Sequence, residues 1–323
     1  MKRLFITSKK ENLKRCFTEE QIGNSRMVST EEFMKNPMDY QDVEYIFSTW
    51  GMPRFSEQEI RRYFPALKAV FYAAGSVGYF ARPYLHCGVR IFSAWVANAI
   101  PVAEFTAAQI ILANKGYFQM QSRYHKGIKN VVDYVETFPG NYGVKVGIIG
   151  LGMISRHVIE LLKACQIEIY VYSHHLTEEE AKDMGVHKAD LDEIFETCQT
   201  ISNHLANKPE TVGCLNGRLF SKMKPNATFI NTGRGAQVDI AALKQAMKDE
   251  PNRTALLDVT DPEPVSAEDD IWDIPNIFLS PHRAGSMTKE VFRMGEYMMK
   301  EYEAFQNGNP RYEVTEDMLD SMA

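Results

Sequence analysis

Three charged side chains near the ends of predicted strands form a chemically sensible set: Arg234, Glu263 and His282. A guanidinium can hold a carboxylate or a carbonyl in a two-pronged geometry. A histidine can exchange a proton with a carbinol oxygen near neutral pH, and a carboxylate behind it would fix its tautomer. Reduction of a 2-oxo acid by a nicotinamide hydride needs an anchor, a proton donor and an orienter. The three residues are therefore the predicted catalytic set.

A second chemical signal lies in Val144–Leu162, where an apolar run leads into the turn GLGMIS at residues 150–155. Gly150 permits a tight turn, and Gly152 lets the backbone approach a pyrophosphate. Ser155 is small enough for the following helix to pack close to the sheet. Free N–H groups and the helix dipole favour an anion there. The pattern predicts a dinucleotide site, with a merely tight structural turn as the alternative.

The end of the next strand, about 20 residues further on, bears on coenzyme choice. An NAD site usually carries an acidic residue there, bonded to the ribose 2′-hydroxyl. This sequence has Ser173 instead, followed by His174 and His175. A serine would not repel a 2′-phosphate and the histidines could assist one, but the arginine typical of NADP sites is also absent. NAD and NADP both stay open as the cofactor.

Alternating strands and helices must position these residues. The runs predicted as strands are Leu4–Thr7, Val43–Thr49, Leu67–Ala73, Val89–Ala94, Lys145–Ile149, Glu168–Tyr172, Thr200–Leu205, Thr228–Thr232, Thr254–Asp258 and Ile277–Ser280. Helical spacing is predicted over Ile100–Tyr134, with Pro101 in the first turn, and over Thr288–Phe305. Such alternation implies parallel α/β sheets. Since ligands bind outside the carboxyl ends of parallel strands, the three charged side chains should face the same crevice as the glycine turn.

Composition narrows the possible functions. A length of 323 residues allows about two domains, and a net charge of −6 argues against nucleic acid or an anionic membrane surface as partner. No apolar run approaches the roughly 18 residues of a membrane span. Five scattered cysteines without CxxC spacing favour a reducing, cytoplasmic setting and no metal site. The expected partner is therefore a small molecule.

Four segments resemble the D-2-hydroxyacid dehydrogenase family. They are GLGMIS, SKMKPNATFINTGRGAQVD at 221–239, LLDVTDPEPV at 256–265 and IWDIPNIFLSPHRAG at 271–285. The first hundred residues match more loosely, through LKAVFYAAGSVGY at 67–79. The resemblance implies an α/β fold with a Rossmann doubly wound parallel sheet and a second, flavodoxin-like domain that is discontinuous in sequence. Residues 1–100 and 287–323 would bind substrate, residues 101–286 would bind the dinucleotide, and the protein would be a homodimer.

The resemblance also implies roles for individual residues. Arg234 would anchor the substrate, His282 would be the acid/base and Glu263 would support it. The backbone of Gly75, Ser76 and Val77 would receive the substrate carboxylate. Cofactor-binding positions would be Gly150, Gly152, Met153, Ile154, Ser173, His174, Asn207, Thr232, Asp258 and Gly285.

The activity implied is NAD(P)H-dependent reduction of a small 2-oxo acid to a D-2-hydroxy acid, as in glyoxylate or hydroxypyruvate reductases. Two alternatives remain open. One is a non-catalytic, NAD(H)-sensing interaction protein that has kept the fold. The other is a dehydrogenase of another small anion such as phosphite. The substrate loop AAGSVGYF differs from the family's commoner glycine-valine-aspartate type, so the loop does not identify the acid.

Overall fold

The computed structural model describes residues 2–125 and 134–319. Residues 126–133 of the predicted helix 100–134 and residues 320–323 of the predicted substrate domain lie outside this range. The chain divides into two compact units: unit 1 comprises residues 1–99 and 286–323, and unit 2 comprises residues 100–285. Each unit is built around its own sheet.

Thirteen strands lie within the described residues. They are β1 (Arg3–Thr7), β2 (Arg26–Ser29), β3 (Tyr45–Ser48), β4 (Ala69–Tyr72), β5 (Arg90–Ser93), β6 (Lys145–Ile149), β7 (Glu168–Tyr172), β8 (His187–Lys188), β9 (Thr200–Asn203), β10 (Thr228–Asn231), β11 (Thr254–Leu257), β12 (Ile277–Leu279) and β13 (Glu313–Val314). The α-helices described are Lys10–Cys16, Glu19–Ile22, Thr30–Lys35, Glu57–Tyr63, Ala81–His86, Trp95–Asn114, Tyr117–His125, Met153–Leu162, Glu178–Met184, Leu191–Thr197, Gly217–Lys222, Ile240–Asp249, Lys289–Gln306 and Glu316–Leu319.

The sheet of unit 1 has the order β13-β5-β4-β3-β1-β2. Its five parallel strands follow the flavodoxin-like order, as predicted. At one edge β13, a strand that the sequence did not predict, pairs antiparallel with β5. Stacked rings of Phe5, Phe47 and Phe71 line one face. The helix Lys289–Gln306 contributes Met294 and other buried residues to the same cluster, so the end of the chain completes this core.

The sheet of unit 2 has the order β12-β11-β10-β9-β6-β7-β8, and all its pairs are parallel. This is the Rossmann order with β12 added at one edge, so the predicted fold class is confirmed. The strand order reverses between β6 and β9. The loops after these two strands therefore meet at the topological switch point, where doubly wound sheets bind ligands.

The helix Trp95–Asn114 corrects one prediction. It begins before Ile100, and Pro101 lies inside it rather than in its first turn. Its length and mean hydropathy of 1.5 would by themselves suffice to cross a membrane, but half of that window is buried within the protein. Ala107 and Ile110 pack in the core of unit 2. Core packing therefore explains its apolar composition.

Three strands have no counterpart in the sequence prediction: β2, β8 and β13. Each contains two to four residues and lies at or next to a sheet edge, with at most one buried residue. Because edge strands of this length bury few side chains, they carry little hydrophobic alternation to detect.

Candidate active site

The glycine turn at the end of β6 is built by close backbone contact. Gly150 has φ +91°, and a Cβ there would lie 2.7 Å from the carbonyl oxygen of His204. Ser155 Oγ donates to the carbonyl of Gly150 at 2.7 Å, which ties the following helix to the turn. Around Gly152, which precedes the helix Met153–Leu162, no heavy atom lies within 4 Å of the position a Cβ would occupy. The backbone is thus open at a helix N-terminus, and this fits a pyrophosphate.

The segment after β7 presents hydroxyl and imidazole groups. Ser173 Oγ accepts the N–H of His175 at 3.3 Å, and His174 Nε2 lies 2.9 Å from the hydroxyl of Tyr172. Residues 173–175 contain no carboxylate, so they would not repel a 2′-phosphate. Asn207 is exposed in the loop after β9.

His282 and Glu263 are brought together although 19 residues separate them. His282 Nδ1 lies 2.7 Å from Glu263 Oε1, and both side chains are roughly half exposed. A carboxylate only accepts, so Nδ1 carries the proton in this pair. Nε2 is then the ring atom available for exchange with a substrate.

Asp258 holds the loop that carries His282. The side chain is 4% exposed. Its Oδ1 accepts the hydroxyl of Ser280 at 2.5 Å and the N–H of Arg283 at 2.8 Å, and its Oδ2 accepts the N–H of Ala284 at 2.8 Å. His282 itself has φ +52°, a conformation that non-glycine residues rarely adopt. The carboxylate therefore holds the backbone directly after the histidine and the side chain of Ser280 before it, and so stabilises a strained conformation.

Arg234 lies in the loop after β10 and is half-buried. Its Nη1 donates to the carbonyl of Gly233 at 2.7 Å. Burial lowers the pKa of the guanidinium from its ordinary value, and the charge on nearby Glu263 opposes this shift. A Cβ on Gly235 would lie 2.0 Å from the carbonyl carbon of Thr260. Only glycine permits this approach, which brings the arginine loop against the segment that leads to Glu263.

The structure also contains residues that the sequence analysis missed. Asn203, Asn231 and Gln237 are side-chain amides with at most 1% exposure, directly beneath the loops just described. Asn203 and Asn231 are the last residues of β9 and β10 and lie opposite each other in the sheet. A polar residue that ends a buried strand was the available signal, but it does not reveal the partners of the amide.

The structure places the remaining predicted residues in several different segments of the chain. Thr232 is buried, with its hydroxyl 3.2 Å from that of Thr106. Gly285 is the last residue of unit 2. Gly75, Ser76 and Val77 follow β4 in unit 1. Within residues 2–125 and 134–319, no group of three or more His, Cys, Asp or Glu side chains could hold a metal ion.

Residues 107–284 match the family model described as the NAD binding domain of D-isomer specific 2-hydroxyacid dehydrogenases. The match covers more than half of the chain. The chain therefore belongs to the D-isomer specific 2-hydroxyacid dehydrogenase family, which confirms the resemblance found in the sequence.

Individual relatives agree with this assignment. The chain is 29% identical over 217 residues to D-3-phosphoglycerate dehydrogenase of Haemophilus influenzae, covering 64% of this chain and 51% of that protein. It is 31% identical over 167 residues to glyoxylate reductase of Korarchaeum cryptofilum, covering 52% of this chain and 50% of that protein. The chain thus spans about half the length of these curated relatives.

A solved structure shows the same fold. It is that of a D-isomer specific 2-hydroxyacid dehydrogenase from Lactobacillus delbrueckii ssp. bulgaricus in its NAD-complexed form. The TM-score is 0.79 at 17% identity, and the match covers 98% of this chain and 100% of that one.

Proposed function

We propose that this protein is an NAD(P)H-dependent oxidoreductase that reduces the C2 carbonyl of a small 2-oxo acid to a D-2-hydroxy acid. The observation that carries the proposal is the 2.7 Å contact between His282 Nδ1 and Glu263 Oε1, and the segment that leads to Glu263 also packs against the loop of Arg234. The three charged groups have the chemical types that this reaction needs, within a chain of the corresponding family.

The chain's own residues would contribute binding and proton transfer. A reduced nicotinamide coenzyme, held through its pyrophosphate at the glycine turn, would supply the hydride. Arg234 would hold the substrate carboxylate or carbonyl, and its partial burial strengthens the attraction because less water screens it. His282 Nε2 would donate a proton to the carbonyl oxygen as it becomes an alkoxide. Glu263 would stabilise the charged ring, and the fixed positive groups would stabilise the developing oxyanion.

Gly75–Val77 would bind the substrate carboxylate through the backbone. Ser93 Oγ donates to the carbonyls of Ala74 and Gly75 at 2.8 and 2.5 Å, and these bonds hold the loop. Within the part of the chain that the structure describes, the N–H groups of residues 75–77 donate to no protein acceptor. Successive unpaired N–H groups of this kind suit an anion.

Ser173 leaves the choice between NADH and NADPH open, because a serine at this position accommodates a ribose with or without a 2′-phosphate. We further propose a cytoplasmic homodimer. The five free thiols are consistent with a reducing compartment, and the family resemblance underlies the dimer.

Steady-state oxidation of NADH and, separately, of NADPH tests the function. The panel consists of glyoxylate, hydroxypyruvate, its 3-phosphate, pyruvate and a bulkier aromatic 2-oxo acid. The phosphorylated acid is included because several similar proteins are named D-3-phosphoglycerate dehydrogenases. Turnover that gives the D-hydroxy acid supports the proposal. Coenzyme binding without turnover of any acid overturns it and favours the sensing protein.

A further inference from the structure

Three buried side-chain amides connect the loops at the carboxyl edge of the unit 2 sheet. Asn203, Asn231 and Gln237 are each at most 1% exposed. A buried amide without partners is costly, so each such group must be hydrogen-bonded by its surroundings. The partners of these three define which parts of the chain they fix.

Gln237 uses all its hydrogen-bonding capacity on two different loops. Its Oε1 accepts from Asn203 Nδ2 at 2.7 Å and from the backbone N–H of Arg234 at 3.3 Å. Its Nε2 donates to the carbonyls of Leu205 and Ala206, both at 2.9 Å. One side chain therefore joins the backbone of Arg234 to the loop after β9.

The other two amides complete this connection. Asn231 Oδ1 accepts from Asn203 Nδ2 and from the N–H of Gly233, both at 3.0 Å, and Asn231 Nδ2 donates to the carbonyl of Arg234 at 3.1 Å. Arg234 is thus held at both its N–H and its C=O. A Cβ on Gly233 would lie 3.0 Å from Gln237 Oε1, so the network also excludes larger residues from the turn.

The loop on the other side of the network belongs to the predicted cofactor site. It runs from His204, whose carbonyl contacts the glycine turn at Gly150, to Asn207, a predicted cofactor-binding residue. The amides are neutral and buried, so solvent and salt screen these bonds little. A shift of this loop would therefore change the hydrogen bonds that orient Arg234.

We propose that Gln237 is a positioning residue that couples the cofactor-side loop, residues 204–207, to the substrate anchor Arg234. The inference rests on the proposed function, since it assigns Arg234 to the acid and the loop to the coenzyme. Its consequence is energetic coupling: bound coenzyme orders the loop, and the ordered loop holds Arg234 ready for the carboxylate. By linkage, the acid then strengthens coenzyme binding by the same factor.

The test is Gln237→Glu, which keeps the side-chain shape but turns two donors into an acceptor facing the carbonyls of Leu205 and Ala206. The dissociation constant of NADH is measured by fluorescence with and without saturating oxamate, an unreactive analogue of a 2-oxo acid. In the wild type, oxamate tightens NADH binding. In the variant we expect NADH to bind about tenfold more weakly, as for a loss of about 1.4 kcal/mol, and the enhancement by oxamate to disappear.

Asn276→Asp is the matched control. Asn276 is also a buried amide of unit 2, and its Nδ2 donates to the carbonyls of Met247 and Arg253 at 2.8 and 2.9 Å. Its position before β12 makes no contact with the amide network. We expect a comparable fall in melting temperature with NADH affinity and oxamate enhancement unchanged. If both variants lost NADH affinity and oxamate enhancement equally, Gln237 would contribute only to stability, and the inference would be overturned.

Two further outcomes are separable. Should Gln237→Glu not fold, Gln237→Met keeps the length without polar atoms and must show the same loss of coupling. If the wild type reduces no acid and binds no oxamate, the proposed function fails. The network is then judged on NADH affinity alone, and a Gln237 variant that binds NADH as tightly as Asn276→Asp overturns it.

Discussion

The carboxyl edges of the two sheets fix their loops by different chemistry. In unit 1, buried hydroxyls at the ends of strands donate to loop carbonyls, as Thr49 Oγ1 does to Ala73 at 2.8 Å and Ser93 Oγ to Gly75 at 2.5 Å. In unit 2 the loops are held by side-chain amides, which both donate and accept, and by the carboxylate of Asp258, which accepts backbone N–H groups.

The difference fits the proposed division between binding and chemistry. Hydroxyls that occupy loop carbonyls leave backbone N–H groups available, as the proposed carboxylate site at the edge of unit 1 requires. Amides and a carboxylate can orient ionisable side chains, and the edge of unit 2 holds Arg234, Glu263 and His282. We therefore expect changes to the loop at the first edge to act mainly on KM for the acid, and changes to His282 and the groups that orient it at the second edge to act mainly on kcat.

His282→Ala removes the proposed proton donor and should have the largest effect. We expect kcat to fall by about 10²- to 10⁴-fold, the usual contribution of general acid–base catalysis. Because the side chain is 47% exposed, the melting temperature should hardly change. Stopped-flow and steady-state rates at saturating acid measure this. A wild-type kcat in this variant would contradict the proposed role of His282 as the proton donor.

Asp258→Asn should come next. An amide cannot accept at both ends, so one NH₂ group would face a backbone N–H or the hydroxyl of Ser280, and the loop would lose the bonds that hold His282 at positive φ. A charged hydrogen bond of this kind contributes about 1.5–3 kcal/mol, which corresponds to roughly a 10- to 100-fold fall in kcat.

A side-chain NMR spectrum of His282 provides a readout independent of turnover. The proton shared with Glu263 should give a low-field resonance in the wild type and lose it in Asp258→Asn. Persistence of that resonance together with a low kcat would contradict positioning and would favour direct contact between Asp258 and the coenzyme.

His204 predicts a pH dependence of stability in unit 2. Burial lowers the pKa of His204 to about 4. Since an unfolded histidine titrates near 6.5, the unfolded chain binds more protons between these values, and stability falls as pH drops from about 6.5 towards 4. The loss should reach about 2 kcal/mol by pH 5. Thermal unfolding at pH 7.5 and 5.0 should show a smaller fall for His204→Asn than for the wild type.

His86 in unit 1 is the control of opposite sign. Its hydrogen bonds to Glu57, and then to Glu316, raise its pKa. Its contribution is therefore present below the unfolded value and is lost as pH rises through the higher folded value. Because the side chain is exposed, the effect should be small. A His86→Gln variant that changed acid sensitivity as His204→Asn does would contradict this contrast.

Ser93→Ala should have the smallest effect on catalysis. It removes the two bonds to the carbonyls of Ala74 and Gly75 and loosens the predicted carboxylate loop. A net contribution of about 0.5–1.5 kcal/mol corresponds to a rise in KM of roughly two- to tenfold, with kcat nearly unchanged. Ser48→Ala, which removes an equally buried hydroxyl bonded to Ile6, should leave KM unchanged. A fall in kcat without a rise in KM in Ser93→Ala would contradict the assignment of substrate binding to the edge of unit 1.

Much of the fold could be predicted because short sequence patterns specify most of its strands and turns. Apolar runs and the glycine turn predict the strands of both sheets, and the motif residues predict the meeting of Glu263 with His282. One prediction failed because tertiary packing overrides local preference, since Pro101 lies inside a helix. The edge strands were missed for another reason, because they are too short to show a hydrophobic pattern.

The amide network could not be predicted for a different reason. Asn203 and Gln237 are ordinary residues in sequence, and their importance arises from partners that only the folded chain brings within reach. The positive φ of His282 is likewise invisible in the sequence, because it is imposed by Asp258 from 24 positions earlier along the chain.

The discontinuity of unit 1 has a consequence for synthesis. Unit 2 is one continuous segment, residues 100–285, so every strand of its sheet has left the ribosome before the helix Lys289–Gln306 appears. The first five strands of the unit 1 sheet are made before unit 2, yet they wait for Met294 and its neighbours to cover Phe5, Phe47 and Phe71. Until that helix is made, the nascent chain exposes this aromatic face, and this interval is when a chaperone would find its binding site.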